Sequence, residues 1–265
     1  MPTTYTHYRF GKDVYKQLDI SAQEMVDSFR GLYDIGLHGP DLLFYYQALS
    51  KNPVNQTGFA MHQKPGRNFF EYAKSVLKTT TAPKPAMAYL YGFLCHFALD
   101  SNCHPYIEQM VRKLHLSHSA IEAELDRFFM EKDGLNPITY RPTAHLNPCT
   151  FHARVIAPFF PGIEDKKIRS CIRSIRFYCN RLVIPNPLLR WLTLTILRLS
   201  QSSESTQDMI IRYETISECT PICLHLESLY DKAVTDAVAL IENWSSSITS
   251  RTPLDKRFDH TFGEF

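Results

Sequence analysis

An all-α fold is what this sequence predicts, and three features predict it. Apolar residues recur at three-, four- and seven-residue intervals through most of the chain, strand-like alternation is scarce, and the longest apolar run, 86–99, has the length of a buried helix. At 265 residues the chain can bury a sizeable core, and we expect a single multi-helix domain over 1–265. The Pro/Asn-rich connector from Gly134 to Pro148 is the best internal boundary. It would separate 1–133 from a C-terminal helical subdomain over 149–265.

Taken in order, Lys12 to Ile35 reads as helix through Val14, Leu18, Met25, Phe29 and Leu32, and stops at the turn Gly36-Leu37-His38-Gly39-Pro40-Asp41. Asp41 stands where it would cap the apolar run Leu42 to Leu49. Asn52 to Gly58 reads as loop, and Asn68 to Lys78 as helix. The central helix follows a proline-bearing connector, ends at His104-Pro105, and hands over to a helical stretch from Tyr106 to Leu114. Ser117 is an N-cap for a helix over His118 to Lys132, with Glu122 and Glu124 near its positive end. Beyond the connector, an apolar stripe from Ile168 to Leu182 is backed by a basic face of Lys166, Lys167, Arg169, Arg173 and Arg176. Leu188 to Leu199 is strongly apolar, and Met209 to Cys219 and Leu226 to Trp244 complete the helical reading.

Bulk properties narrow the function classes. A net charge of +2 is too mild to argue for nucleic acid. Seven cysteines, an odd number with no C-x-x-C pair, fit reduced thiols better than a disulfide framework. No basic segment, apolar core and cleavage site open the chain, and no apolar run reaches the ~18–20 residues of a membrane span, so a cytoplasmic location is expected.

Into the apolar run the sequence drops His96, Asp100 and His104 at four-residue steps. On a helix these share a stripe, climbing about 6 Å and drifting roughly 40° per step. A buried carboxylate with two imidazoles is costly unless each is partnered, and a cation satisfies all three; a hydrogen-bonded polar seam is the plain alternative. His96 and His104 would lie about 12 Å apart along the axis, too far for one ion with bonds near 2.0–2.1 Å, so they should serve different metals with Asp100 between them. His118 and Glu122 repeat the step, and with His104 make a three-ligand site with an open position. Asp41 and His62 would close a site around His96 and Asp100. His7, ahead of the first helix, would fold back onto the cluster. Nitrogen and oxygen donors without cysteine mark catalytic rather than structural zinc. No Glu-x-x-His, adjacent His-Asp or His-Glu-x-x-His motif points elsewhere.

The order His7, Gly39-Pro40-Asp41, His62, His96-x-x-x-Asp100-x-x-x-His104, His118-x-x-x-Glu122 resembles the zinc-dependent phospholipase C family. Its all-helical fold is shared with the P1/S1 nucleases, and its cluster of three zinc ions hydrolyses phosphoesters. The resemblance covers the first half of the chain; no motif matches after about residue 135. It implies one metal on Asp41, His62, His96 and Asp100, a second on His104, His118 and Glu122, and a third on His7 with Asp100 bridging, so two or three Zn2+ in all. Secreted members complete the third site with an N-terminal tryptophan, where this chain reads Met1-Pro2.

Two divalent ions about 3.5–4 Å apart and sharing Asp100 would bring a bridging water's pKa towards 7 and clamp the phosphate oxygens during attack. Asp41 and Asp100 are thus the candidate catalytic carboxylates; Asp41 would either orient or deprotonate the attacking water or serve as a ligand alone. The expected activity is hydrolysis of a phosphodiester or phosphomonoester, in a phospholipid head group or a nucleotide. The alternatives are a P1/S1-like nuclease and a metal-binding scaffold without catalysis. The basic face from Lys166 to Arg176 is a candidate contact for an anionic membrane, and no obligate protein partner is evident. His38, His115, Arg9, Glu124 and Asp126 read as surface residues, and Phe44, Tyr45, Tyr46, Phe69 and Phe70 as core.

Overall fold

The computed structural model describes residues 4–199, 207–250 and 252–263. Among them the chain is helical with no strand; a single antiparallel bridge joins Pro65 to Thr261. The α-helices are α1 (Thr4–Gln17), α2 (Ile20–Ser28), α3 (Arg30–Gly36), α4 (Pro53–His62), α5 (Gly66–Thr79), α6 (Pro83–Leu114), α7 (His118–Lys132), α8 (Thr150–Ile156), α9 (Asp165–Arg181), α10 (Pro187–Leu199) and α11 (Cys219–Thr249). A 3-10 helix over Gly39–Tyr45 follows α3.

Helix α6 is the axis, with α1, α3, α5, α7 and α11 packed around it. Tyr89, Phe93 and Phe97 are fully buried along it, and burial of each such ring contributes roughly 2–3 kcal/mol. Phe93 stacks on Phe69 of α5 at 4.0 Å, and Phe97 meets Phe258 face to face at 5.8 Å. Helix α3 crosses α6 almost backbone to backbone: a Cβ on Gly36 would strike the Tyr89 carbonyl, and one on Gly92 the Tyr33 carbonyl. This close approach brings the segment after α3, with Asp41, onto the polar stripe of α6.

Several expected boundaries differ. The span Lys12 to Ile35 is parts of three helices, because the Asp19 carboxylate caps α2 by accepting from Ala22 N, and Phe29 leaves helical geometry at φ −135°. Helix α1 starts earlier, at Thr4, across residues of weak helix propensity. Tertiary contacts decide this start: Asp126 of α7 accepts from Tyr5 N and Thr6 N at 3.1 and 2.8 Å, satisfying N–H groups that a helix start leaves open. His7 therefore sits inside α1 and buried, not on a segment ahead of it. The expected loop Asn52 to Gly58 is the first half of α4, with Asn52 and Asn55 in a capping box and Pro53 in the first turn, so the turn-like residues are a helix start.

Helix α6 runs through Pro105 to Leu114, since buried Ile107 and Met110 hold the following turns on the bundle despite the lost donor. It ends at His115, whose φ of 54° terminates the helix. Met209 to Cys219 is mostly not helical: Arg190 donates to the carbonyls of Ile210 and Ile211, and Glu124 accepts from Ile216 N, so side chains take the bonds a helix would have made. The His118–Lys132 helix and its Ser117 cap stand as expected, Ser117 Oγ accepting from Ala120 N at 3.1 Å.

Candidate metal centre

Helix α6 presents His96, Asp100 and His104 in succession, and Asp100 is the hub of the site. Its Oδ2 lies 3.0 Å from His96 Nε2 and 4.0 Å from His62 Nε2, while its Oδ1 lies 3.2 Å from His7 Nε2 and 3.7 Å from His104 Nε2. Each oxygen of one carboxylate thus serves different imidazoles. Asp41 Oδ1 reaches His62 Nε2 at 2.8 Å and His96 Nε2 at 3.9 Å. On the other flank, Glu122 Oε1 lies 3.2 Å from His118 Nε2 and 3.6 Å from His104 Nε2.

All eight predicted residues are brought into three adjoining groups: Asp41, His62 and His96; His7, His96 and Asp100; His104, His118 and Glu122. Within each, the donor atoms lie no more than 4.8 Å apart. Such clusters can hold metal ions. The contact between His96 and Asp100 is the sharpest test of fit. Neither ring nitrogen of fully buried His96 has a hydrogen-bond partner, and neither does Asp100 Oδ2, although the two side chains meet at 3.0 Å. Buried donors this close without hydrogen-bond geometry are arranged as ligands turned to a common cation are. The all-nitrogen-and-oxygen donor set suits zinc.

The electrostatics agree. Burial pushes the Asp100 carboxyl up, but the surrounding imidazoles of His104, His96 and His7 overcome it and hold the group well below the usual carboxylate range. Asp41 is held below its ordinary value in the same way, against burial, by His96 and His62. Burial pushes His104 down, yet Asp100 and Glu122 drive it up to about 9, the response of a buried anionic pair that favours a positive charge beside it. Asp41 and His118 are the most exposed side chains of the cluster, at 16% and 19%.

The tertiary structure adds groups that sequence reasoning missed. His118 Nδ1 donates to Glu108 Oε1 at 2.7 Å, and His62 Nδ1 donates to the Gly58 carbonyl at 2.9 Å, so each ring is held with Nε2 facing inward. Glu108 extends the stripe by one further four-residue step beyond His104, a signal the sequence does carry. Asp126, expected at the surface, is 2% exposed and positions α1, and hence His7, through Tyr5 and Thr6. Glu124 is buried too, 3.6 Å from Arg127. His38, likewise expected outside, is buried against His145 at 3.1 Å. Arg9 is not a free charge: it pairs with Asp133 and Asp13 and lies over Phe129. His115 is exposed as expected.

No curated protein and no solved structure matches the chain. A family model described as zinc dependent phospholipase C matches residues 6–167, which include every residue of the three groups and more than half the chain. With the motif order, the helical fold and the clustered donors already in place, that match makes the chain a member of the zinc-dependent phospholipase C family.

Proposed function

We propose that this protein is a hydrolase of phosphoester bonds, with a phospholipid head group as the favoured substrate class, and that Asp41, His62, His96 and Asp100 hold one zinc ion while His104, His118 and Glu122 hold another. His7, with Asp100 between, is assigned to a third. The observation that carries this reading is the divided Asp100 carboxylate, each oxygen facing a different set of imidazoles, as a ligand shared between ions requires.

Bound zinc would supply Lewis acidity towards the phosphate oxygens and lower the pKa of water at neutral pH. The chain's own residues do the rest. Asp41 accepts a hydrogen bond from the attacking water and so orients it. His7, His62, His96 and His104 line a floor from which bulk water is excluded, which strengthens every charge interaction above it. Phe44 stacks on His62 at 5.1 Å and Phe262 packs on the rings of His62 and His96, so apolar side chains hold the imidazoles in place.

The test is metal analysis of the purified protein alongside hydrolysis of a short-chain phosphatidylcholine, a chromogenic phosphodiester and single-stranded DNA. Chelator-sensitive turnover of the lipid, lost in Asp41→Asn, is the expected result. Zinc without turnover of any of the three would make the protein a metal-binding scaffold, and preference for the DNA would make it a nuclease.

A further inference from the structure

Helix α10 carries its apolar residues on the side away from the core. Leu188, Leu189, Trp191, Leu192, Ile196 and Leu199 are all exposed, Leu188 by 73% and Trp191 by 63%. At about 100° per residue they share one arc of roughly 160°. Arg190, on the opposite arc, is buried, donates to the Ile210 and Ile211 carbonyls and lies 4.6 Å from the Tyr213 ring centre. The polar anchor therefore ties the helix to the protein while the greasy arc faces out. No described residue covers that arc, and contiguous apolar patches of this kind mark interaction surfaces.

Charge selects the occupant. From Lys166 to Leu199 the sequence has eight Lys and Arg and no Asp or Glu, although the whole chain has 29 cations against 27 anions; the remainder is net acidic. Arg173, Arg176 and Arg181 are exposed on the end of α9 that leads into α10, where Arg181 lies over the exposed ring of Phe177. Arg198 is exposed beside the Trp191 edge of the apolar arc. An apolar arc with a tryptophan, on a stretch of sequence that holds cations and no anion from 166 to 199, fits the head-group region of an anionic bilayer. At ~1.5 Å per residue α10 is on the order of 20 Å long, too short to cross a membrane, and no described helix is long and apolar enough to do so. It suits an in-plane position.

We infer that α10, with the adjoining cations of α9, docks this protein on an anionic phospholipid surface. The inference rests on the lipid reading given above and adds where the enzyme meets its substrate. A cavity of about 40 Å³ lies beside α10, lined by Arg190 and Ile211 and, across from them, by Thr4, Tyr45 and Asp126.

The two tryptophans make the test direct, because Trp191 is exposed and Trp244 is fully buried, so a change in emission on vesicle binding reports α10. With vesicles of phosphatidylcholine mixed with phosphatidylserine, the emission is expected to shift to the blue and to be quenched by brominated lipid. The double variant Leu192→Glu, Ile196→Glu is expected to bind at least about tenfold more weakly. Arg176→Gln with Arg181→Gln should lose on the order of fivefold per cation, on the anionic vesicles alone. Both variants should still hydrolyse a soluble chromogenic phosphodiester at the wild-type rate. Absence of a blue shift, or binding that survives in the Leu192/Ile196 variant, overturns the docking surface. So does a concentration-dependent dimer that this variant abolishes while vesicles go unbound. Vesicle binding without hydrolysis of any phosphoester leaves the docking surface standing and overturns the proposed function instead.

Discussion

His118 of α7 donates from Nδ1 to Glu108 of α6 across 2.7 Å, and its Nε2 is left facing Glu122 at 3.2 Å. A carboxylate only accepts, so Nδ1 is the donor to Glu108, and the ring is turned with Nε2 towards Glu122, the orientation in which an imidazole ligates a metal through Nε2. Glu108→Gln is accordingly expected to bind zinc about 10–100-fold more weakly with the fold intact. Competition against a chromogenic chelator measures this, and an unchanged affinity would reduce Glu108 to an ordinary surface carboxylate.

Gly39 places Asp41 by a conformation other residues avoid. Its φ is +46°, and a Cβ there would collide with the ring of His96, which is fully buried and has no room to withdraw. Gly39→Ala is expected to destabilise the protein by roughly 1–3 kcal/mol through strain at this backbone position, and to lower its zinc content by displacing His96. Denaturant midpoints and metal analysis check the two effects separately; a variant equal to wild type in both would refute the close packing as a constraint on the site.

Acid should act on the His38–His145 pair. Burial pushes His145 down to about 3, and burial together with His145 holds His38 well below the usual imidazole range. The two share a hydrogen bond at 3.1 Å, one ring donating and the other accepting. Because both folded-state values lie below the ordinary one, the unfolded chain binds more protons as pH falls. Stability is therefore complete above about pH 6.5 and is lost below it, with a slope approaching about 1.4 kcal/mol per pH unit for each histidine. Urea unfolding of wild type and His145→Asn from neutral to mildly acidic pH tests this. The variant is expected to show the shallower acid decline, and parallel curves would show that the pair does not titrate on unfolding.

The stripe His96, Asp100, His104 could be found from the sequence because its four-residue step and its apolar setting are local properties of one helix. The same holds for His118 to Glu122 and for the α7 boundaries, where Ser117 supplies the cap. The helical setting of His7 is not legible locally: Thr4 to Phe10 has weak helix propensity by itself, and Asp126, some 120 positions away, makes it a helix start. Asn52 and Pro53 read as loop in the sequence because the same residue types open turns and helices, and only the partner Asn55 tells the two apart.

By itself, the sequence determined the helical class, the donor types and their spacing, since periodicity and charge are written residue by residue. The folded molecule alone decided which faces meet. Nothing in the run Leu188 to Leu199 says whether its leucines lie inside or out; Arg190, turned inward to the Ile210 and Ile211 carbonyls, sends them outward. Nor does any local signal say that His7, Asp41 and Glu122 converge on Asp100. Burial and long-range pairing depend on what the rest of the chain packs against a helix, and that is a property of the tertiary structure.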